Sequence, residues 1–347
     1  MCEGGDVLHD RYDIGLMFSF RNPAAWRRPF AEVYADELAL IRRAEALGID
    51  TIWLTEHHFV DDGYSPSVVT IAAAIAAVTE RVRIGFNLLL LPLHNAIRVA
   101  EDIATADVIS GGRLDPGFGQ GYAPHEFAGY GIPVSERLSR FTEGLDVLTG
   151  LWGQDTFSYE GRHYQIDGAR LAPKPVQNPM PLWIGATTRP GVRRAGRRGA
   201  NLLGVGGAGL QQEYEEARRA AGFSVEDAKI LQLHWGHVAD SDDKAWDDAA
   251  AHFHHLMSVY QGFANASGGQ GGPKPGEVPP VEELRGAKSL MFRPAIGEAS
   301  TVAGVLNHSL GRVKTTHLAM GVLPGMAPAR TGDFIERFVG EVVPQLV

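Results

Sequence analysis

Short apolar runs alternate with longer segments of helical periodicity along the whole chain. Eight runs are apolar enough to form buried strands, and a segment with helical spacing follows most of them. They lie at residues 14–18, 52–54, 82–90, 113–118, 182–184, 201–205, 230–238 and 315–320. Repeated strand–helix units favour parallel strands, because each helix carries the chain back to the same edge of the sheet. The pattern therefore predicts an α/β fold.

Eight strand–helix units predict a (β/α)₈ TIM barrel with insertions, although a doubly wound sheet also accommodates these elements. The length of 347 residues suits one such domain, which we place at residues 1–347. Residues 153–181 interrupt the pattern with hairpin-like alternation and then four prolines, which predicts a hairpin and loop insertion. Residues 262–288 are rich in Gly and Pro, which predicts a mobile loop.

The net charge and the cysteine content limit the classes of binding partner and the cellular compartment that we expect. The formal net charge of −9 argues against broad attraction to nucleic acid or anionic lipid. The longest apolar run, 88–91, is far too short to cross a bilayer. The single cysteine, Cys2, excludes a disulfide within the chain, and the first residues lack the apolar core of a signal peptide. We therefore expect a soluble cytoplasmic protein.

The second strand ends in a set of titratable residues. Ile52 to Leu54 is followed by Glu56, His57 and His58. The carboxyl ends of barrel strands carry the active site, and His is the side chain that titrates near neutral pH. Because alternate residues leaving a strand point to opposite sides, one imidazole is expected at the barrel mouth and the other is expected to pack sideways. A hydrogen-bonded structural pair is the alternative that these residues leave open.

Two further strands end in residues suited to a flat ligand. Asn87 is a polar residue among leucines, and it binds either a ligand or a partner inside the barrel. Glycines at 117, 119 and 121 leave room for a planar group or form a flexible turn. A G-x-G-x-x-G pattern begins at Gly204, which is the best case for a dinucleotide fold. The acid that such a fold requires is matched only by Glu226 or Asp227, which precede the next strand.

The loop from Gly185 to Gly191 contains Thr187, Thr188 and Arg189 before a basic helix. Free N–H groups at a helix start, two hydroxyls and a cation suit a phosphate, whereas ordinary capping is the alternative. His252, His254 and His255 lie on a helix that we interpret as a solvated surface. We therefore predict no metal site.

Taken together, these segments resemble the bacterial-luciferase-like family of flavin-dependent oxidoreductases. The resemblance is strongest from Trp53 to Tyr130 and covers most of the chain. Its motifs are the segments 51–59, 81–92, 97–102, 110–114, 119–122, 181–185 and 342–344. The family implies a barrel that binds FMN, or in some branches a deazaflavin, at the carboxyl ends of its strands. It also implies that the 262–288 loop covers the active site.

The resemblance assigns candidate roles to individual residues. His57 matches the histidine at the reactive edge of the flavin, and Asn87 and Leu88 match a pair beneath its ring that is often joined by a cis bond. The candidate catalytic residues are His57, His58 and Asn87. The candidate cofactor-binding residues are Asn87, Leu88, Gln120, Tyr122, Gly185, Thr187, Thr188, Gly191, Val192 and Gly204. Pro116 departs from the family pattern, which predicts a bulge or an early end of the fourth strand.

The implied activity is that of a flavin-dependent monooxygenase. Reduced FMN, taken from a separate flavin reductase, reacts with O₂ to give a peroxyflavin that oxygenates a small apolar substrate. The family also implies a homodimer. Candidates for the substrate wall are Phe18, Phe20, Phe59, Tyr64 and Tyr122. The alternatives are a deazaflavin-dependent hydride-transfer dehydrogenase, a flavin-binding protein without catalysis and a nicotinamide dehydrogenase of the dinucleotide fold.

Overall fold

The computed structural model describes residues 8–204, 206–269, 274–287 and 290–347. Cys2 lies outside them. Within these ranges the chain forms thirteen β-strands. Their bounds are β1 Asp13–Phe18, β2 Thr51–Leu54, β3 Arg83–Phe86, β4 Leu89–Leu90, β5 Leu114–Asp115, β6 Gly117–Gly119, β7 Phe157–Glu160, β8 Gln165–Ala169, β9 Trp183–Gly185, β10 Asn201–Leu203, β11 Ile230–Val238, β12 Ala295–Gly297 and β13 His317–Gly321.

The described ranges also contain ten α-helices. Their bounds are α1 Phe30–Ala46, α2 Val68–Val78, α3 Ala96–Ser110, α4 Pro124–Gly129, α5 Arg137–Gly153, α6 Arg189–Arg197, α7 Ala208–Ala220, α8 Asp242–Ser267, α9 Ala299–Leu310 and α10 Pro328–Arg337. Local signals set several ends. The side chain of Asn95 accepts hydrogen bonds from the first N–H groups of α3, and Gly111 ends that helix at φ 66°.

The parallel strands close into a barrel with eight strand positions, which confirms the predicted fold class. We call each position a stave, because two of them consist of two short strands in succession. β1 pairs with both β13 and β2, and β2 pairs with β3. On the other side of β1, β13 pairs with β11, β11 with β10, and β10 with β9. The third stave consists of β3 and β4, and the fourth consists of β5 and β6. They join through the pairs β3–β5 and β4–β6, and β6 then pairs with β9. Such a closed ring rules out the doubly wound sheet.

Two staves are broken within the runs where the sequence predicted strands. The third stave divides at Asn87–Leu88, whose peptide bond is cis, as the resemblance implied. The fourth divides at Pro116, which lacks the N–H that a ladder requires. The continuous strand predicted at 82–90 was therefore wrong at 87–88, whereas the break at Pro116 confirms the interruption predicted for the fourth strand.

Aromatic rings fill the inside of the barrel and explain a glycine in the third stave. Trp53 and Trp183 point inward from β2 and β9, and their ring centroids lie 5.2 Å apart. A Cβ added at Gly85 would lie 2.3 Å from the Trp53 ring. Gly85 therefore provides space for an indole, which accounts for a glycine within a buried strand. The barrel interior is a packed core beneath the mouth.

Helix α8 lies across the barrel mouth. It follows the long strand β11, and its buried residues include Phe253, Leu256 and Phe263. The helix ends at Ser267, so the first six residues of the predicted 262–288 loop are helical. The prediction was wrong there because helical packing continues through Phe263 and Ala264. Residues 270–273 and 288–289 of that segment lie outside the described residues.

The insertion at 153–181 contains the expected hairpin, in which β7 and β8 pair antiparallel. Cis prolyl bonds at Ala172–Pro173 and Asn178–Pro179 follow it. In the described part of the chain, no helix combines the length and the apolar character that a membrane crossing needs.

Candidate active site at the barrel mouth

The two histidines after β2 point to different places, as the alternation predicted. The Nδ1 of His57 lies 2.8 Å from Oε1 of Glu126 on α4. A carboxylate only accepts hydrogen bonds, so the imidazole donates from Nδ1. The same carboxylate oxygen accepts the backbone N–H of His58 at 2.9 Å. This arrangement leaves Nε2 of His57 as the free nitrogen of the ring, because the described residues give it no hydrogen bond.

His58 packs sideways into a buried cluster with Glu56 and His94. Oε1 of Glu56 lies 2.6 Å from Nε2 of His58 and 2.5 Å from Nε2 of His94. Oε2 of Glu56 accepts the backbone N–H of Leu90 at 2.7 Å. The hydroxyl of Tyr130 lies 3.2 Å from Nδ1 of His58. The carboxylate thus ties the loop after β2 to the broken third stave.

The pKa of Glu56 shows how strongly the cluster stabilises the carboxylate. Burial raises this pKa, but the hydrogen bonds from His58 and His94 outweigh burial and lower it to about 2. Burial lowers the pKa of His94, and its hydrogen bond to Glu56 outweighs that effect and raises it. The cluster is the one group within the described residues whose three donor atoms lie close enough to hold a metal, within 4.8 Å of one another. Zinc accepts such donors, but each of these three atoms already has a hydrogen-bond partner.

Aromatic side chains surround the His57 ring and form what we call the aromatic pocket: Tyr64, Tyr122, Tyr260 and Phe263. Their ring centroids lie between 4.6 and 6.1 Å from that of His57. The hydroxyls of Tyr64 and Tyr260 are 2.5 Å apart. Burial raises the pKa of each of the three tyrosines, so their hydroxyls stay neutral near pH 7. The walls are therefore apolar faces with neutral hydrogen-bonding tips.

Three aromatic residues predicted for this wall lie elsewhere. Phe18 and Phe20 are buried in the main core, and Phe20 packs on Tyr34. Phe59 is 64% exposed and packs on the far side of the loop near Tyr130. Phe18 is the last residue of β1 and, like its core neighbours, faces the helices. Phe20 and Phe59 both have positive φ angles, which turn their side chains away from the path that strand alternation predicts.

The broken third stave forms a shelf beside the pocket. Asn87 lies at the mouth, where its Nδ2 has only a weak contact with Sδ of Met17 at 3.9 Å. The side chain of Leu88 covers the backbones of Gly119 and Gly185. A Cβ at either glycine would lie 2.3 or 2.2 Å from a methyl group of Leu88. Gln120 follows β6 directly, half-buried at the same edge. Leu88 therefore packs directly on the backbones of two neighbouring strands at the carboxyl edge of the barrel.

The loop between β9 and α6, where the sequence predicts a phosphate site, presents two exposed threonines at the start of a helix. Thr188 is the N-cap of α6 and makes no capping hydrogen bond through its side chain. Thr187 and Thr188 are exposed, and Gly191 and Val192 are buried in the first turn. A Cβ at Gly191 would lie 3.0 Å from Ala186 and 3.1 Å from the Thr188 hydroxyl. Arg189 and Arg193 pair with Glu213, at 3.0 and 2.8 Å. The hydroxyls of Thr187 and Thr188 have no hydrogen-bond partner among the described residues, whereas Pro190 lacks an N–H and Val192 donates its own to the carbonyl of Thr188.

The Gly204 loop lies at the same edge of the barrel but lacks the acid of a dinucleotide site. It connects β10 with α7, as the pattern predicted. Glu226 and Asp227 precede β11, so they lie at the amino edge of the barrel, opposite the Gly204 loop. The dinucleotide fold is therefore wrong for this chain, and Gly204 remains a cofactor candidate by position alone.

The histidines of α8 are not simply a solvated surface. His252 is buried, with Nδ1 2.9 Å from the carbonyl oxygen of Pro324 and its ring stacked on Trp26. Nε2 of His255 lies 2.9 Å from Asp62, and Asp62 also holds Arg21. The solvated interpretation was wrong for these two residues because α8 packs on the loops of the barrel mouth.

Sequence reasoning missed four residues of the site. They are Glu126, His94, Tyr260 and Phe263. Glu126 belongs to a helix of six residues, too short for a periodic signal, and the other three come from distant segments. An acid in a short apolar helix was the one available signal.

Comparison with known proteins decides the family. The family model for luciferase-like monooxygenases matches residues 13–319. The chain belongs to this family. The motifs after β2 and around the third stave thus lie on the barrel scaffold that the resemblance implied.

The relatives include both flavin-dependent and deazaflavin-dependent enzymes. The chain is similar to the oxygenase component of a flavin-dependent trigonelline monooxygenase from Acinetobacter baylyi, with 25% identity over 332 residues and 90% of each chain covered. It is 30% identical over 199 residues to an F420-dependent glucose-6-phosphate dehydrogenase from Amycolatopsis mediterranei, covering 53% of this chain and 60% of that protein. Two uncharacterised Sinorhizobium fredii proteins, y4wF and y4vJ, are 35% and 32% identical over 192 and 205 residues, or 55% and 57% of this chain. The chain spans 56% and 58% of their lengths.

Solved structures support the fold. The monooxygenase RslO1 from Streptomyces bottropensis superposes with a TM-score of 0.82 at 22% identity, covering 96% of this chain and 99% of that chain. At this identity the likeness concerns the barrel and its connections.

Proposed function

We propose that this protein is a flavin-dependent monooxygenase that uses reduced FMN and O₂ to oxygenate a small organic substrate. One observation carries the proposal: His57, held through Nδ1 by the buried Glu126, presents its free Nε2 among the rings of the aromatic pocket. A nitrogen placed in this way is able to move a proton beside a flat cofactor and an apolar substrate. The trigonelline monooxygenase relative, matched along 90% of both chains, supports the same class of reaction.

The residues at the mouth fit an isoalloxazine ring with a phosphate tail. Gly119 and Gly185 keep a surface flat where a Cβ would collide with Leu88. Asn87, Leu88, Gln120 and Tyr122 would contact the ring. Gly185, Thr187, Thr188, Gly191, Val192 and Gly204 would hold the ribityl phosphate. Reduced FMN bound there would supply the electrons that activate O₂.

The side chains of the protein would provide proton control and shelter from water. His57 would hold or deliver a proton at Nε2, while Glu126 keeps the ring oriented and its Nδ1 protonated. Asn87 would orient the ring, and His58 would fix the loop through Glu56. Tyr260 and Phe263 on α8 cover the pocket and limit the entry of water.

Partners follow from the proposed chemistry. The trigonelline enzyme is named as an oxygenase component, which supports a separate flavin reductase for this chain. We propose O₂ and a small apolar molecule as substrates, a homodimeric assembly and a cytoplasmic location.

A deazaflavin-dependent dehydrogenase is the second candidate. It is favoured by the F420-dependent glucose-6-phosphate dehydrogenase relative, which is 30% identical over about half of this chain. The same shelf and phosphate loop suit either ring system. The two functions differ in their need for O₂, because hydride transfer requires none.

The test begins with binding. FMN, reduced FMN and an F420 deazaflavin are added separately, and the melting temperature is measured, since a ligand that binds the folded state raises it. We expect reduced FMN to give the largest increase and Gly185→Trp, which fills the shelf, to abolish it. Gly153→Trp at the end of α5, where an added Cβ has open space, is the matched control. A shift with F420 alone, together with turnover in the absence of O₂, would replace the monooxygenase by the dehydrogenase.

A further inference from the structure

Arg21 follows the carboxyl end of β1 by three residues, and its side chain is fully buried. Asp62 accepts a hydrogen bond from Nε at 2.7 Å and lies 2.6 Å from Nη2. Nη1 is buried and has no hydrogen-bond partner among the described residues. A buried N–H of a cation without a partner is costly. The geometry thus indicates that a partner for Nη1 is missing.

The guanidinium lies against the wall of the aromatic pocket. Its Cζ is 4.5 Å from the centroid of the Tyr64 ring. The Tyr64 ring is in turn 4.8 Å from that of His57, and its hydroxyl meets that of Tyr260. Arg21 is therefore separated by one aromatic ring from the histidine that we assign to proton transfer.

Arg21 is held in place by groups from several segments. Asp62 belongs to the loop after β2, and its backbone carbonyl accepts the N–H of Asn22 at 2.7 Å. His255 on α8 lies 2.9 Å from Oδ2 of Asp62 and 3.2 Å from Nη2 of Arg21. These contacts use Nε and Nη2, so Nη1 is the donor of the planar guanidinium that remains unused. A donor held in this way is preorganised for an oxygen that accepts a charge-assisted hydrogen bond.

We propose that Arg21 binds a carboxylate on a small aromatic substrate whose ring lies in the aromatic pocket. This rests on the proposed function and refines its apolar substrate to one with an apolar ring and one charged group. The pocket walls suit a planar ring by edge-to-face contact, and Nη1 suits a carboxylate oxygen. Asp62 holds the guanidinium through Nε and Nη2, which leaves the buried Nη1 as the donor for the carboxylate. The site thus favours an aromatic acid over the neutral analogue of the same shape.

The test uses the full-length protein with and without saturating FMN, and benzoate and benzamide as probes. Dissociation constants are measured by isothermal titration for the wild type, Arg21→Gln, Arg21→Lys and Arg27→Gln. Arg27 is the matched control, because it pairs with Asp61 on the exposed side of the same loops. We expect the wild type and Arg27→Gln to bind benzoate at least about tenfold more tightly than benzamide. Both Arg21 variants should lose this preference.

Several results would overturn the proposal. These are equal binding of the two probes by the wild type, no binding of benzoate, or a preference that persists in the Arg21 variants. Circular dichroism checks folding, and if Arg21→Gln does not fold, Arg21→Lys decides. The FMN titration is scored separately. A protein that binds benzoate through Arg21 but no flavin would refute the proposed function and leave the carboxylate site standing.

Discussion

Oε1 of Glu126 receives two hydrogen bonds from consecutive residues, one from the Nδ1 of His57 and one from the backbone N–H of His58. Oε2 of Glu126 is buried without a hydrogen-bond partner among the described residues. The carboxylate therefore fixes both the ring and the backbone of the motif at the same oxygen. This relationship makes Glu126 a positioning residue for His57.

Replacing Glu126 by Gln should disturb the tautomer of His57 and slow the reaction. A glutamine amide no longer requires a proton on Nδ1, so Nε2 is not reserved as the free nitrogen. We expect turnover to fall by about 100-fold or more, in the range of a lost proton-transfer group. Nitrogen NMR of the His57 ring reports the tautomer directly, and turnover with an accepted substrate reports the rate.

Glu101→Gln, on the exposed face of α3, is the control for this change. A Glu126→Gln protein with wild-type His57 spectra and turnover would show that Glu126 only fills space.

The phosphate loop is tested by comparing two flavins that differ only in the phosphate. Thr187→Val and Thr188→Val remove exposed hydroxyls at the start of α6. Hydrogen bonds to charged groups contribute about 1.5–3 kcal/mol, so each variant should weaken FMN binding about tenfold or more. Riboflavin affinity should remain unchanged, because it has no phosphate. Fluorescence titration measures both, and Thr142→Val on α5 serves as the control.

An equal loss of affinity for FMN and riboflavin would place the phosphate elsewhere. It would indicate instead that these threonines shape the loop.

The shelf is tested at Gly185. An alanine there would place a methyl group 2.2 Å from Cδ2 of Leu88, so the leucine must move. Since a leucine end is flexible, we expect a small change in stability but weaker flavin binding. The double variant Gly185→Ala, Leu88→Ala should recover part of the affinity, as measured by equilibrium dialysis. An additive loss in the double variant would contradict the contact.

Acid should weaken the Glu56 cluster. The pKa of Glu56 falls from 4.5 to about 2 on folding, because the hydrogen bonds from His58 and His94 outweigh burial. Its contribution to stability is present above about pH 4.5 and is lost as the pH falls toward 2. Urea unfolding at pH 5, 4 and 3 should show a smaller acid-induced loss of stability for Glu56→Gln than for the wild type. An equal acid-induced loss of stability in both proteins would show that this carboxylate does not cause the loss.

Glu37 on α1 should give the stability of the protein a pH dependence of the opposite sign. Burial and the nearby Asp36 raise its pKa from 4.5 to about 8, and its Oε2 is buried without a partner among the described residues. The folded state therefore holds a proton that the unfolded chain has lost, so stability falls as the pH rises from 4.5 through 8. Glu37→Gln should gain stability relative to the wild type between pH 6 and 9 in urea unfolding. If the difference in unfolding free energy between Glu37→Gln and the wild type does not grow with pH, the raised pKa is contradicted.

Local patterns in the sequence were sufficient for the barrel and for much of the mouth. β11 was predicted at its observed bounds, and β1 and β2 to within one residue, because each is a short apolar run between breaking signals. The carboxyl-end rule then placed His57, Asn87 and Thr187 at one edge of the barrel. The resemblance contributed the cis bond at Asn87–Leu88, which no periodicity indicates.

Only the tertiary structure decided which side chains meet. Glu126 reaches His57 across 69 positions, and Tyr260 reaches Tyr64 across 196. The first pairing depends on the position of α4 and the second on the crossing of α8 over the mouth. Long-range packing sets both, and local sequence does not encode them. The chain by itself determined its strands, its helices and the edge where titratable groups gather. The fold determined their partners, because contacts between distant segments exist only after the barrel has closed.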